Sequence, residues 1–159
     1  MHISFVEIAL LSAAAVVVVV ALPRCSGSNG RSRVVRASWT LTPGVLNPDV
    51  TQANVATTVC RRGWTRTVRP PVSYTNALKV KGLAQYGLHG PLSSFQEDHL
   101  ISLELGGNPV DPRNLWPEPY PRAADVDRIE NELNSKVCGG RLTLTAAQAT
   151  ESLLKHTSG

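Results

Sequence analysis

Apolar positions fall into three patterns along this chain. The first is an unbroken run. Ile8 to Leu22 carries no charge and includes five consecutive valines, Val16 to Val20. A membrane-spanning helix needs about 20 apolar residues, so this run suits the apolar centre of an export signal better than a span. No Lys or Arg precedes it, whereas Arg24, Arg31, Arg33 and Arg36 follow, an order that also fits an uncleaved anchor. Residues 1–25 therefore read as a signal peptide or N-terminal membrane anchor, and the product as secreted or held in the cell envelope. Residues 26–41 are small, polar and basic, as in a flexible linker. The folded domain is expected over 42–159.

The second pattern is helical. Asn47 can cap a helix with Pro48 in its first turn, running to about Cys60. Ser73 can cap a second, through Tyr74, Ala77, Leu78 and Leu83, ending at Gly87. Val126, Ile129 and Leu133 place a third over about 123–137, stopped by Gly139 and Gly140. Thr145, with Gln148 three residues on, resembles a capping box for a fourth helix running to about Lys155. The third pattern is short extended segments: Phe95 to His99, and Asn114 to Trp116. Gly106-Gly107-Asn108-Pro109 makes a turn between them, and Pro117, Pro119 and Pro121 should end the second strand. Gly63 to Pro71 reads as loop. The order helix, helix, strand, strand, helix, helix predicts a small, mainly helical α+β domain with a minimal hairpin.

Composition adds little to this picture. Sixteen Lys and Arg against twelve Asp and Glu leave a formal charge of +4. That bias favours an anionic partner such as nucleic acid without requiring one. The three cysteines include no Cys-x-x-Cys pair, so a structural zinc clip is not signalled. In an oxidising compartment Cys60 and Cys138 are the natural disulfide pair; two buried free thiols are the alternative.

The candidate chemistry lies in Glu97-Asp98-His99, followed by Gly106-Gly107 and then Asp111-Pro112-Arg113-Asn114-Leu115-Trp116. A phosphodiester resists hydroxide because both are anionic, and a divalent ion offsets that repulsion. Asp98 offers a hard oxygen for such an ion. His99 can act as general base near neutral pH. Asn114 would brace the loop that carries His99. In a straight strand Asp98 and His99 point to opposite faces. Asp98 as ligand thus requires a bend there, and without one Glu97 is the better candidate. Taken singly, an Asp-His pair is most often a surface feature and Asn114 a turn residue; their combination at this spacing is the signal.

Phe95 to Pro119 closely resembles small exported bacterial HNH-type, or ββα-metal, nuclease-like proteins. The likeness extends upstream through Thr42-Pro43-Gly44, Asn47-Pro48, Val59-Cys60, Val68-Arg69-Pro70-Pro71 and Tyr74-Thr75. Downstream it includes Asp127-Arg128-Ile129-Glu130-Asn131 and Val137-Cys138. It implies a ββα-metal core of hairpin and helix, and metal-dependent hydrolysis of DNA, with RNA as an alternative. One magnesium or manganese ion is implied, with zinc as an alternative, and no small-molecule cofactor. The roles of Asp98, His99 and Asn114 carry over. Such enzymes place a second ligand on the helix. Asn131 is the first choice, with Asp127 and Asn134 next, and a histidine is expected where Asn134 stands. Arg113, beside Asn114, is the candidate phosphate contact, and Arg61, Arg62, Arg66 and Arg69 cluster around Trp64. The expected protein is a monomer that binds nucleic acid, with membrane attachment through its N-terminus as an option. A catalytically inactive binding module and an envelope structural protein are the rival readings.

Overall fold

The computed structural model describes residues 34–159. The signal or anchor over 1–25, and the linker as far as residue 33, lie outside the described residues. Among these, no helix is long and apolar enough to cross a membrane. From Val35 on, the stretch expected to be linker is packed. Ala37 is buried and its N–H donates to the Lys155 carbonyl, while Ser38 N–H donates to the Tyr86 hydroxyl.

Four helices and one hairpin make up the domain: α1 (Trp64–Val68), α2 (Val72–Tyr86), β1 (Phe95–His99), β2 (Leu115–Pro119), α3 (Arg122–Cys138) and α4 (Leu144–Thr157). The strands pair antiparallel, with Asp98 opposite Trp116 and His99 opposite Leu115. This is the mixed helix and strand arrangement expected. The disulfide joins Cys60 to Cys138, with Cα atoms 5.5 Å apart.

Local details differ from the expectations in instructive ways. No helix runs from Asn47 to Cys60. Asn47 instead folds back on Asp49 N–H through its side chain, which makes a turn, and only a 3-10 helix, Gln52–Thr57, follows. The Gly63 to Pro71 loop contains α1, anchored by buried Trp64. Helix α2 starts one residue before Ser73, because extended Pro71 occupies the cap position. It stops as expected at Gly87, which sits in the left-handed region at φ 61°. Helix α4 is capped by Thr143, whose side chain accepts from Ala146 N–H, two residues before the expected cap.

The prolines do not end β2. Leu100 N–H donates to Asn114 O, and Tyr120 N–H donates to Ser94 O. Those bonds fix the alternation of the ladder, so Pro117 and Pro119 fall at positions whose nitrogen points away from β1. No ladder bond is lost there. Pro117 packs instead on Gly82 of α2, where a Cβ would come within 2.9 Å of the proline ring.

The main core gathers Val50, Val59, Trp64, Ile101, Leu105, Leu133, Val137, Leu144 and Ala147. It lies between α3, α4 and the loop that follows β1. A smaller cluster of Ala37, Leu100 and Trp116 seats the N-terminal segment against the hairpin. One edge of the hairpin face that carries Gln96, Asp98 and Glu118 is thereby left for polar groups.

Candidate functional site

The loop between the strands is built around Asn114, which is fully buried. Its Oδ1 accepts from Ile101 N–H at 3.0 Å and Val45 N–H at 3.3 Å. Its Nδ2 donates to the carbonyls of Ile101 and Asn108, both at 3.0 Å. One side chain thus ties together both ends of the loop and the N-terminal segment. Gly107 permits this close approach, since a Cβ there would lie 1.7 Å from the Ile101 oxygen. Asn114 therefore occupies the bracing position expected of it.

The ladder runs without a bulge to His99, so Asp98 and His99 do point to opposite faces. Asp98 faces α3 and α4. Glu97 faces α2, where burial, opposed by Lys79, pushes its carboxyl up to about 8. It is Asp98, not Glu97, that meets other carboxylates. Asp98, Asp127 and Glu130 each bring one oxygen to a common place, all within 4.8 Å of one another. Three hard oxygen donors suit magnesium, manganese or calcium better than zinc. Gln96 orients two of them. Its Nε2 donates to Asp127 Oδ1 at 3.0 Å and lies 3.5 Å from Asp98 Oδ1, while Tyr120 hydroxyl holds its Oε1.

The other helical candidates lie to one side. Asn131 turns its amide back onto the Asp127 carbonyl at 2.6 Å. Asn134 donates to Glu104 O at 2.7 Å and Val59 O at 3.3 Å, tying α3 to the loop after β1. Arg113 is exposed and bonded to Asp111 through both ends of its guanidinium, away from the carboxylates.

Four buried charged residues escaped the sequence reading: Glu118, Glu130, Glu151 and Lys155. The Lys155 ammonium has no solvent exposure. It contacts Glu130 Oε1 at 2.6 Å, Asp98 Oδ2 at 2.7 Å and Glu151 Oε1 at 3.3 Å, and donates to the His99 carbonyl at 2.5 Å. Burial opposes the charge on Lys155, but the three carboxyls outweigh it and hold its pKa well above the ordinary value. One ammonium serves several acids, so they divide. Burial raises Asp98, yet Lys155 pulls it below the ordinary range. Burial leaves Glu130 and Glu151 raised. Glu118, on the same face, is pushed up to about 8 by burial and by the Asp98 charge. The signal was available in sequence. Glu130 lies on the α3 stripe Val126, Leu133, Val137, and Glu151 and Lys155 on the α4 stripe Leu144, Ala147, Gln148. A charge on an apolar stripe needs a buried partner.

His99 is buried at the end of β1. Its Nε2 bonds the Pro109 carbonyl at 3.1 Å, which places the ring proton on Nε2 and leaves Nδ1 as the acceptor. Nδ1 has no partner among the described residues, and is not one of the sealed, unpartnered side-chain atoms. Burial lowers the imidazole pKa, and Arg69 and Lys155 push the same way. The ring is therefore neutral at pH 7, as a proton acceptor must be.

A cleft of about 370 Å³ opens over the carboxylates. Asp127 and Glu130 line it from α3, Gln96 from β1, Ser102 and Glu104 from the loop, and Thr65 and Arg69 from the α1 segment. Burial, Glu151 and Asp127 raise Glu104 to about 7. No protein-family model matches this chain, and no curated protein or solved structure matches it either.

Proposed function

We propose that this domain is a metal-dependent phosphodiesterase of the ββα-metal type that cleaves nucleic acid, DNA in the first instance. What supports the reading most is the meeting of Asp98 on the hairpin with Asp127 and Glu130 on the following helix. That is the place at which the resemblance puts one divalent ion. Glu130 takes the helical role expected of Asn131 or Asn134. A bound magnesium or manganese ion would supply charge to the phosphate and stabilise the leaving oxygen.

The protein's own groups divide the remaining work. His99 is the proton acceptor of this reading, at Nδ1 with Pro109 holding the tautomer, and a water must bridge from its face of the hairpin to the ion on the Asp98 face. Asn114 fixes the loop, and so the ring. Gln96 holds the Asp98 and Asp127 carboxylates in register. Lys155 keeps Asp98 ionised from behind, through Oδ2, leaving Oδ1 on the side of Gln96.

A second reading has its own observation. The ammonium of Lys155 already satisfies Asp98 and Glu130, as a resident cation would. On that reading the domain is a catalytically silent nucleic-acid-binding or envelope module. Plasmid nicking with magnesium or manganese, against a chelator control, separates the two when run beside manganese titration calorimetry. The nuclease reading expects metal-dependent nicking, abolished in His99→Ala while its circular dichroism spectrum is unchanged. Absence of both manganese binding and nicking supports the silent module.

A further inference from the structure

Several cations near the acidic cleft are engaged, but the one cation among the described residues lining it, Arg69, is not. Lys155 is enclosed by its three carboxyls, and Arg113 is held by Asp111. Arg128 pairs with Asp125 and Lys136 with Glu132. Arg69 lines the cleft itself, and among the described residues its guanidinium makes no ion pair and no hydrogen bond. Its charge is nevertheless felt by Glu104, which also lines the cleft, and by His99. Two hydroxyls on the walls are also unspent. Thr65, one helical turn before Arg69, bonds nothing through its side chain. Ser102 is buried, and its Oγ has no partner.

This wall is held stiffly. Trp64 roots α1 in the main core. Pro70 keeps Arg69 extended, and the residue shows φ −62° and ψ 127°. The Cys60–Cys138 disulfide clamps the start of the segment to the end of α3. The backbone that carries Arg69 is thereby held on the cleft wall that faces Asp127 and Glu130. A carboxylate floor repels a phosphate unless a divalent ion lies between them. A free guanidinium opposite attracts one, with a planar fork matched to its oxygens.

We propose that Arg69, with Thr65 beside it, receives the phosphate of a nucleic-acid strand in this cleft, opposite Asp98, Asp127 and Glu130. The inference rests on the phosphodiesterase reading of the cleft, and moves the phosphate contact from Arg113 to Arg69. It also makes phosphate binding dependent on a divalent ion.

Fluorescence anisotropy of a labelled oligonucleotide with the full-length chain tests it, in calcium and in chelator. Calcium should tighten binding. Arg69→Ala should weaken binding in calcium by about tenfold and lower the slope of log K against log salt by about 1. Arg69→Lys should recover part of the loss, and Arg113→Ala should stay within twofold of the parent. Arg69 is exposed and unbonded, so equal melting temperatures are expected. Undiminished binding by Arg69→Ala overturns the proposal, while metal-dependent nicking by the parent would leave the phosphodiesterase reading in place. Equal losses in Arg69→Ala and Arg113→Ala overturn it in favour of a diffuse surface field. A parent chain that neither binds nor nicks removes both.

Discussion

Replacing Lys155 by Met tests the electrostatics of the domain most directly. The side chain has no exposure, and its ammonium is the shared partner of Asp98, Glu130 and Glu151. Methionine fills similar space but leaves those carboxyls without a cation. Removing one partner of a buried ion pair costs about 3–5 kcal/mol. A Coulomb estimate agrees: two carboxylates roughly 5 Å apart at an effective dielectric of 20 repel by about 3 kcal/mol. Against a total of roughly 5–15 kcal/mol for a domain, that is a large share. The melting temperature should fall by roughly 10–20 °C. The loss should also depend on pH. Without Lys155, Asp98 loses the charge that holds it low, and Glu130 and Glu151 rise further above their unfolded values near 4, so the folded chain holds protons that the unfolded chain releases. The penalty is absent below about pH 4 and full above the raised folded values, so it should be greater at pH 8 than at pH 5. Urea denaturation at both pH values, under non-reducing conditions, reads this directly. A double-mutant cycle with Asp98→Asn gives the coupling. A loss below about 1 kcal/mol at pH 8, or one of equal size at both pH values, refutes the assignment of Lys155 as the buried counter-charge.

Other outcomes follow from single contacts. Asn114→Ala strands backbone groups of Val45, Ile101 and Asn108, and should cost about 3 kcal/mol in a denaturation experiment. Paired Cys60→Ser and Cys138→Ser changes open a link between residues 78 apart, and should cost about 4 kcal/mol against the oxidised parent in the same assay. Glu97 has one buried oxygen without a partner and a carboxyl raised to about 8. A raised acid costs nothing below its unfolded value and its full penalty above the folded one. Glu97→Gln should therefore melt with the parent at pH 4 and above it at pH 8.5; a constant difference across that range would count against the assignment.

What the sequence determined was local. Strand β1, the end of α2 at Gly87 and the extent of α3 follow from residue spacing and from glycine's tolerance of left-handed backbone. The Cys60–Cys138 pairing was legible because few cysteines leave few choices. The Asn114 brace was legible as well, since a buried amide in a turn must bond the backbone around it. Tertiary structure decided the rest. Pro117 and Pro119 fit within β2 only because the ladder register turns their nitrogens away from β1, and register belongs to the strand pair. Likewise, Asn131 and Asn134 share a helical face with Asp127, but packing turns their amides to backbone carbonyls and sends Glu130 toward Asp98. Lys155 is 57 positions from Asp98. No local spacing could pair them, because the ion pair exists only where α4 closes over the hairpin and excludes water from both charges.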